Sequence, residues 1–248
     1  MKRKGILIVN LIIILLSFNL LVEAQEVSDS VVVRCTSGTI IIDGNLNEPD
    51  WQNAPLVGPF LIYPTRNPED NELTHAKMLW DEQNLYIAFK SYDTNIVATR
   101  MERNTDVWKD DCVEAFISPY LTIPEKYLNI EINPIITYYC GIHLFAEGSR
   151  WYTPSLQIGR QHEGTINNEG DQDKWWIIEV AIPFQMFSVL GYMDIPRSGD
   201  TWRFNLYRLA RNTEPARRNL FYLPEPLNNH STEYFGKLIF SEETWIIE

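Results

Sequence analysis

The chain has 248 residues and a formal net charge of −12, with 33 acidic side chains against 21 basic ones. A surface this acidic repels nucleic-acid phosphates and anionic membranes, so neither is the expected partner. Three cysteines, Cys35, Cys112 and Cys140, are too few and too scattered for a disulfide framework or a zinc site. They read as three buried thiols, with one bridge and one leftover thiol as the alternative.

In chain order, the first residues are MKRKGILIVNLIIILLSFNLLVEAQE, with a basic start at Lys2, Arg3 and Lys4 and a Val-x-Ala ending at Ala24. That is the anatomy of a secretory signal peptide over residues 1–24. The apolar run also approaches the ~20 residues needed to span a bilayer, but Asn10, Ser17 and Asn19 interrupt it. The expectation is therefore cleavage, a periplasmic or secreted protein, and no membrane insertion afterwards.

From about residue 31 to 241 one domain is predicted, strand after strand. VVVR (31–34), TIIID (39–43), FLIY (60–63), HAKMLWD (75–81) and LYIAFKSYD (85–93) come first. CVEAFIS (112–118), YLNIEIN (127–133), ITYYCGIHLF (136–145), SLQIGRQ (155–161) and KWWIIEVAIP (174–183) follow. TWRFNLYRLAR (201–211), RNLFYLP (218–224) and GKLIF (236–240) complete the set. Short β-branched and aromatic runs bounded by Pro, Asn, Asp and Gly predict an all-β fold, an antiparallel β-sandwich. One short helix is expected at PFQMFSVLG (183–191), opened by Pro183 and closed by Gly191.

The chemistry concentrates in TDVWKDDCVEAFISP (105–119), where Trp108 is followed by Asp110, Asp111 and Glu114. Strand alternation separates Asp110 and Glu114 by about 13 Å, more than the ~5–9.5 Å of glycosidase carboxylates, so they are not a catalytic pair. A hairpin around SPYLTIPEK, paired symmetrically, places Glu114 opposite Glu131. Like charges so placed repel, and call for a cation, a shared proton or a ligand's hydroxyls. Trp108 precedes the strand and is expected at the sheet rim. There its face can cover the CH face of a pyranose while Asp110 and neighbouring amides accept from hydroxyls. The segment from Arg203 to Arg218 is basic, and its arginines pair either with surface acids or with uronate or sulfate groups of a glycan.

Several stretches together resemble the family 9 carbohydrate-binding modules. They are IIDGNLNEPDWQNAP (41–55), HAKMLWDEQNLYIAF (75–89), VWKDDCVEAFISP (107–119), YLNIEINP (127–134), WWIIEVAIPF (175–184), WRFNLYR (202–208) and YFGKLIF (234–240), in family order. The resemblance implies a β-sandwich that binds oligo- or polysaccharide between aromatic side chains, often with structural calcium. It implies that Trp108 is a sugar platform, that Glu114 binds hydroxyls, and that Asn228 and Asn229 supply the polar contact before the last strand. The chain also departs from the pattern. No second tryptophan lies between Leu227 and Tyr234, which leaves His230, Tyr234 or Trp151 as substitutes. Founding members carry an arginine near the position of Glu131, and Arg208 is expected to supply that cation.

The resulting expectation is a non-catalytic carbohydrate-binding module with Trp108, Asp110, Glu114, Glu131, Arg208, Asn228, Asn229 and His230 at its site. It needs no cofactor, and it acts alone or with a glycosidase or uptake-system partner. Two alternatives stay open. One is a glycoside hydrolase using Glu114 and Glu131. The other is a haem-binding electron-transfer domain with Met78 or Met101 and one of the four histidines as axial ligands, although no CxxCH motif supports it.

Overall fold

The computed structural model describes residues 28–63, 73–145, 147–151, 156–211, 218–221 and 228–244. The signal-peptide expectation falls on residues outside this set, as do parts of the Arg203–Arg218 segment.

Among the described residues thirteen strands form one sheet. They are β1 (Ser30–Cys35), β2 (Leu61–Ile62), β3 (Thr74–Trp80), β4 (Asn84–Tyr92), β5 (Cys112–Ser118), β6 (Lys126–Ile132) and β7 (Tyr138–Leu144), then β8 (Glu147–Arg150), β9 (Gln157–Glu163), β10 (Trp175–Pro183), β11 (Thr201–Ala210), β12 (Arg218–Phe221) and β13 (Gly236–Ser241). The hydrogen-bonded order is β8-β7-β6-β5-β11-β13-β1-β3-β4-β10-β9, with β12 joining β11 to the short β2. The sheet folds over so that its two wings close on a shared core. Val113, Ala115 and Ile117 of β5 and Leu128, Ile130 and Ile132 of β6 meet Ile87 and Phe89 of β4 and Ile178 and Val180 of β10. Alternate residues of each strand supply this layer, as the period of two requires. The expected all-β sandwich is what forms, with one departure from antiparallel pairing. β1 runs parallel to both of its neighbours, β13 and β3, and so joins the wings.

Three local expectations change. Residues 39–43 are not a strand. The amides of Asp43 and Gly44 donate to Glu179 Oε2 at 3.1 and 2.8 Å, so they are not free for a ladder. Gly44 sits at φ 84°, and a Cβ there would lie 2.4 Å from the Arg160 backbone, so this crossing requires glycine. The segment after it contains an unanticipated α-helix, α1 (Pro49–Asn53), begun by proline and held by buried Trp51, whose Nε1 donates to Glu179 Oε1 at 2.8 Å. The helix expected at 183–191 is a 3₁₀-helix, Phe184–Leu190, and Gly191 closes it in the left-handed region at φ 87°. The cysteines are all free thiols, with Cys112 and Cys140 buried and Cys35 half-buried.

Candidate functional site

Trp108 is delivered by the loop between β4 and β5, and the acids around it explain how that loop is held. Asp110 Oδ2 accepts from the amides of Thr99 and Arg100 at 2.8 Å each and from Asn133 Nδ2 at 2.9 Å. Asp111 accepts from the amides of Val97 at 2.6 Å and Arg211 at 2.7 Å. Asp173 does the same for Ile96 at 2.6 Å. Buried carboxylates satisfied by backbone N–H groups act as loop anchors. Asp110 is thus corrected from a ligand contact to an anchor, because its acceptor atoms are committed to the loop. The loop ends in a 3₁₀ turn, Val107–Lys109, which sets Trp108 half-buried at the sheet rim.

Beneath Trp108, β11, β5, β6 and β7 bring one row of side chains side by side: Tyr207, Glu114, Glu131 and Tyr139. Glu114 and Glu131 are directly opposite, as the hairpin register predicts. The row below holds Asn205, Phe116 and Asn129. Asn228 and Asn229 approach from the loop before β13. Asn229 Nδ2 donates to Glu114 Oε2 at 3.1 Å, Cys112 Sγ lies 3.8 Å from Glu114 Oε1, and Asn129 Nδ2 donates to Glu131 Oε1 at 3.0 Å. Glu114, Glu131, Asn129, Asn228 and Asn229 line a cleft of about 670 Å³ with Trp108, Tyr139, His143, Arg150 and His230.

Arg208 does not join them. It follows Trp202, Phe204 and Leu206 on the core face of β11, next to Val113, and is fully buried there. Its Nη2 pairs with Asp93 Oδ2 at 2.6 Å, its Nη1 donates to the Tyr92 carbonyl at 2.7 Å, and its guanidinium lies 5.3 Å from the Trp176 ring. The alternation of the strand, period two, sends it to the face opposite the two glutamates. Arg211 is likewise used locally, donating to the carbonyls of Trp108 and Asp110.

Without Arg208 between them, the two glutamates keep their mutual repulsion. Burial first and the Glu114 charge second push the Glu131 carboxyl well above the ordinary carboxylate range, and the Asn129 hydrogen bond offsets this only in part. Two cations stand at the mouth. Asp106 accepts from Lys109 Nζ at 2.9 Å and from Arg150 Nη2 at 2.7 Å, and so ties the Trp108 turn to β8. On the far wall, His230 packs 5.1 Å from Phe116, and its Nδ1 is 2.5 Å from the Tyr127 hydroxyl. His143 lies 4.4 Å from Tyr127 at 4°. Burial, then the His230 charge, lowers His143 to about 4, and burial also lowers His230, so both are neutral plates at physiological pH. His230 therefore stands where a second aromatic wall was missing. Tyr234 is exposed and Trp151 packs against the core, and neither lines the cleft.

Sequence reasoning missed Asn129, His143 and Arg150. Asn129 could have been found, since it lies two residues from Glu131 and shares its face. Arg150 could not, because EGSR carries no strand alternation. Met78 lies in the core and Met101 is exposed, so neither reaches the histidines of the cleft. Among the described residues no group of three or more His, Cys, Asp or Glu is gathered to hold a metal. The buried acids of the Trp108 loop face N–H donors, the reverse of the oxygen cage calcium requires, so this donor set does not fit calcium. No helix among the described residues is long and apolar enough to cross a membrane.

Comparison with known proteins agrees with this fold. The profile of carbohydrate-binding family 9 matches residues 74–240. An Arthroderma benhamiae protein named "Extracellular protein" is 25% identical over 179 residues, covering 67% of this chain and 78% of the relative. A crystal structure of a Bacteroides uniformis protein described as carbohydrate-binding superposes with a TM-score of 0.63 at 19% identity, over 86% of this chain and 99% of the other. A family 9 module of Caldicellulosiruptor kristjanssonii in complex with cellotriose gives 0.58 at 14% identity, over 88% and 98%. The same module with glucose gives 0.57 at 15%, over 88% and 99%. At these identities the structural likeness speaks for the fold.

Proposed function

This chain belongs to carbohydrate-binding family 9, and from that premise we propose that the cleft under Trp108 captures a neutral oligosaccharide outside the cytoplasm. One observation carries the reading. A half-exposed indole stands over a buried floor of Glu114, Glu131 and Asn129, with Asn228 and Asn229 at its edge, in a single cleft. The indole face covers the CH face of a sugar ring, and covering ~100 Å² contributes roughly 2.5 kcal/mol. The carboxylates and amides fix the ring by its hydroxyls. His230, tilted against Phe116, serves as the second wall. The ligands of the Caldicellulosiruptor kristjanssonii module, glucose and cellotriose, are the first sugars to test. Calorimetric titration of the signal-less protein with each should give saturable binding that Trp108→Ala weakens. Secretion is supported by the name of the Arthroderma benhamiae relative together with the leader sequence, and a glycosidase or uptake system is the partner such a capture protein would serve.

A second reading, glycoside hydrolysis, has one observation in its favour. Glu131 is pushed toward its protonated form beside Glu114, and Arg208 is not between them. Facing cross-strand residues have Cβ atoms ~4.5–5.5 Å apart, near the ~5–5.5 Å carboxyl spacing of retaining glycosidases. Release of nitrophenol from aryl glucosides, lost in both Glu114→Gln and Glu131→Gln, would establish it. No release from the wild-type protein leaves binding as the function.

A further inference from the structure

The floor of the cleft holds two polar atoms that the described residues leave unmatched. Glu131 is 5% exposed and Asn129 is 3% exposed. Among the described residues, neither Glu131 Oε2 nor Asn129 Oδ1 has a hydrogen-bond partner. The two residues are two apart on β6, so they project from one face. Their relative orientation is fixed, because Asn129 Nδ2 donates to Glu131 Oε1 at 3.0 Å. Buried polar atoms are nearly always satisfied in folded proteins, and a pair left open at the base of a cleft is a pair waiting for a ligand.

The chemistry of the two atoms defines what that ligand presents. An amide oxygen only accepts. Burial and the neighbouring Glu114 charge favour the protonated Glu131 carboxyl, which then carries a donor. A donor beside an acceptor matches a group that does both, and an alcohol hydroxyl is that group. A carboxylate or sulfate only accepts, so it would oppose both Asn129 Oδ1 and Glu114. An ammonium only donates, and Lys109 and Arg150 at the mouth oppose its entry.

We propose that Glu131 and Asn129 together receive one hydroxyl of a neutral sugar, Glu131 donating to its oxygen and Asn129 accepting its hydrogen, and that this pair sets which sugar is bound. The inference rests on the cleft being a saccharide site. It assigns Asn129 a specificity role and selects uncharged sugars over uronates and amino sugars.

The test is calorimetric titration of the wild-type protein with glucose, with each monodeoxyglucose and with glucosamine. Removal of one hydroxyl should weaken binding by roughly 10–100-fold, since the analogue leaves both buried atoms unmatched, while the other positions change far less. Asn129→Ala, checked for an unchanged melting temperature, should weaken glucose binding and narrow the gap between glucose and that deoxy analogue without closing it, because Glu131 still donates to the hydroxyl. The deoxy series uses unmodified protein, so it decides even where the variant folds poorly. Equal affinity across the series, a penalty as large in Asn129→Ala as in the wild type, or tighter binding of glucosamine than of glucose overturns the proposal. If such a result comes from a protein whose glucose binding is lost in Trp108→Ala, the saccharide reading stands and this inference alone fails. No binding of glucose or cellotriose by the wild-type protein would remove both.

Discussion

Glu114 on β5 and Glu131 on β6 occupy directly opposed positions of an antiparallel pair, both buried and both on the face that carries the cleft. The positive charge expected between them is spent elsewhere, on Asp93 in the core. The fold therefore carries a local electrostatic strain at the floor of the cleft.

That strain gives a stability prediction with a definite sign. The folded-state pKa of Glu131 is raised above its unfolded value. Between the two values the native state binds more protons, so this group's stabilisation is complete below the unfolded pKa and is lost as pH rises through the folded one. Glu131→Gln removes the titration. Its melting temperature should exceed that of the wild type at pH 8 by ~2–4 °C for each kcal/mol relieved, and the advantage should vanish near pH 4. Melting curves across that range check it.

The histidine wall has the opposite slope. His143 is lowered to about 4, so its stabilisation is present above the unfolded value near ~6.5 and is lost as pH falls toward 4. His143→Phe keeps a ring against Tyr127 and cannot titrate. The variant's stability relative to the wild type should improve as the pH is taken from 7 to 4.5, read by denaturant unfolding at each pH. A constant difference would show that the imidazole is not the titrating group.

Arg208 should matter to folding and not to ligand. Removing one partner of a buried ion pair leaves the other charge unmatched, at a cost of ~3–5 kcal/mol. Arg208→Met and Asp93→Asn should each lower unfolding stability on that scale, while the folded fraction binds sugar with wild-type affinity. Loss of affinity without loss of stability would return Arg208 to the site.

Trp108 should behave in the reverse way. Trp108→Ala is expected to weaken saccharide binding by ~10–100-fold with little change in melting temperature, because the side chain is half-buried at a rim. A large fall in melting temperature with unchanged affinity would make it a plug for the end of the sandwich.

The strands and the Glu114–Glu131 register were legible in the sequence because both depend on local alternation and on the length of one hairpin loop. Arg208 was legible too, in principle. Trp202, Phe204 and Leu206 mark its face as the core, and only its charge argued for the cleft. What could not be read were partners distant in sequence. Residues 39–43 look like a strand, but the Asp43 amide belongs to Glu179, 136 residues away, and the Ile41 amide to Glu48. The acids beside Trp108 look like ligand acceptors, but they serve backbone amides on the earlier arm of the same loop. The far wall of the cleft is assembled from β6, β7 and the loop before β13, and no single stretch announces it.

The parallel seam at β1 has a consequence for how the protein comes into being. β1 pairs along its length with β13, whose residues are made about 200 positions later, and contacts of such separation slow folding. Until Gly236–Ser241 emerge, Val31 and Val33 belong to a strand with one edge unpaired, and unpaired apolar edges invite association with other chains. A chaperone that shields residues 30–35 during synthesis should therefore raise the yield of soluble protein more than one acting on the completed chain.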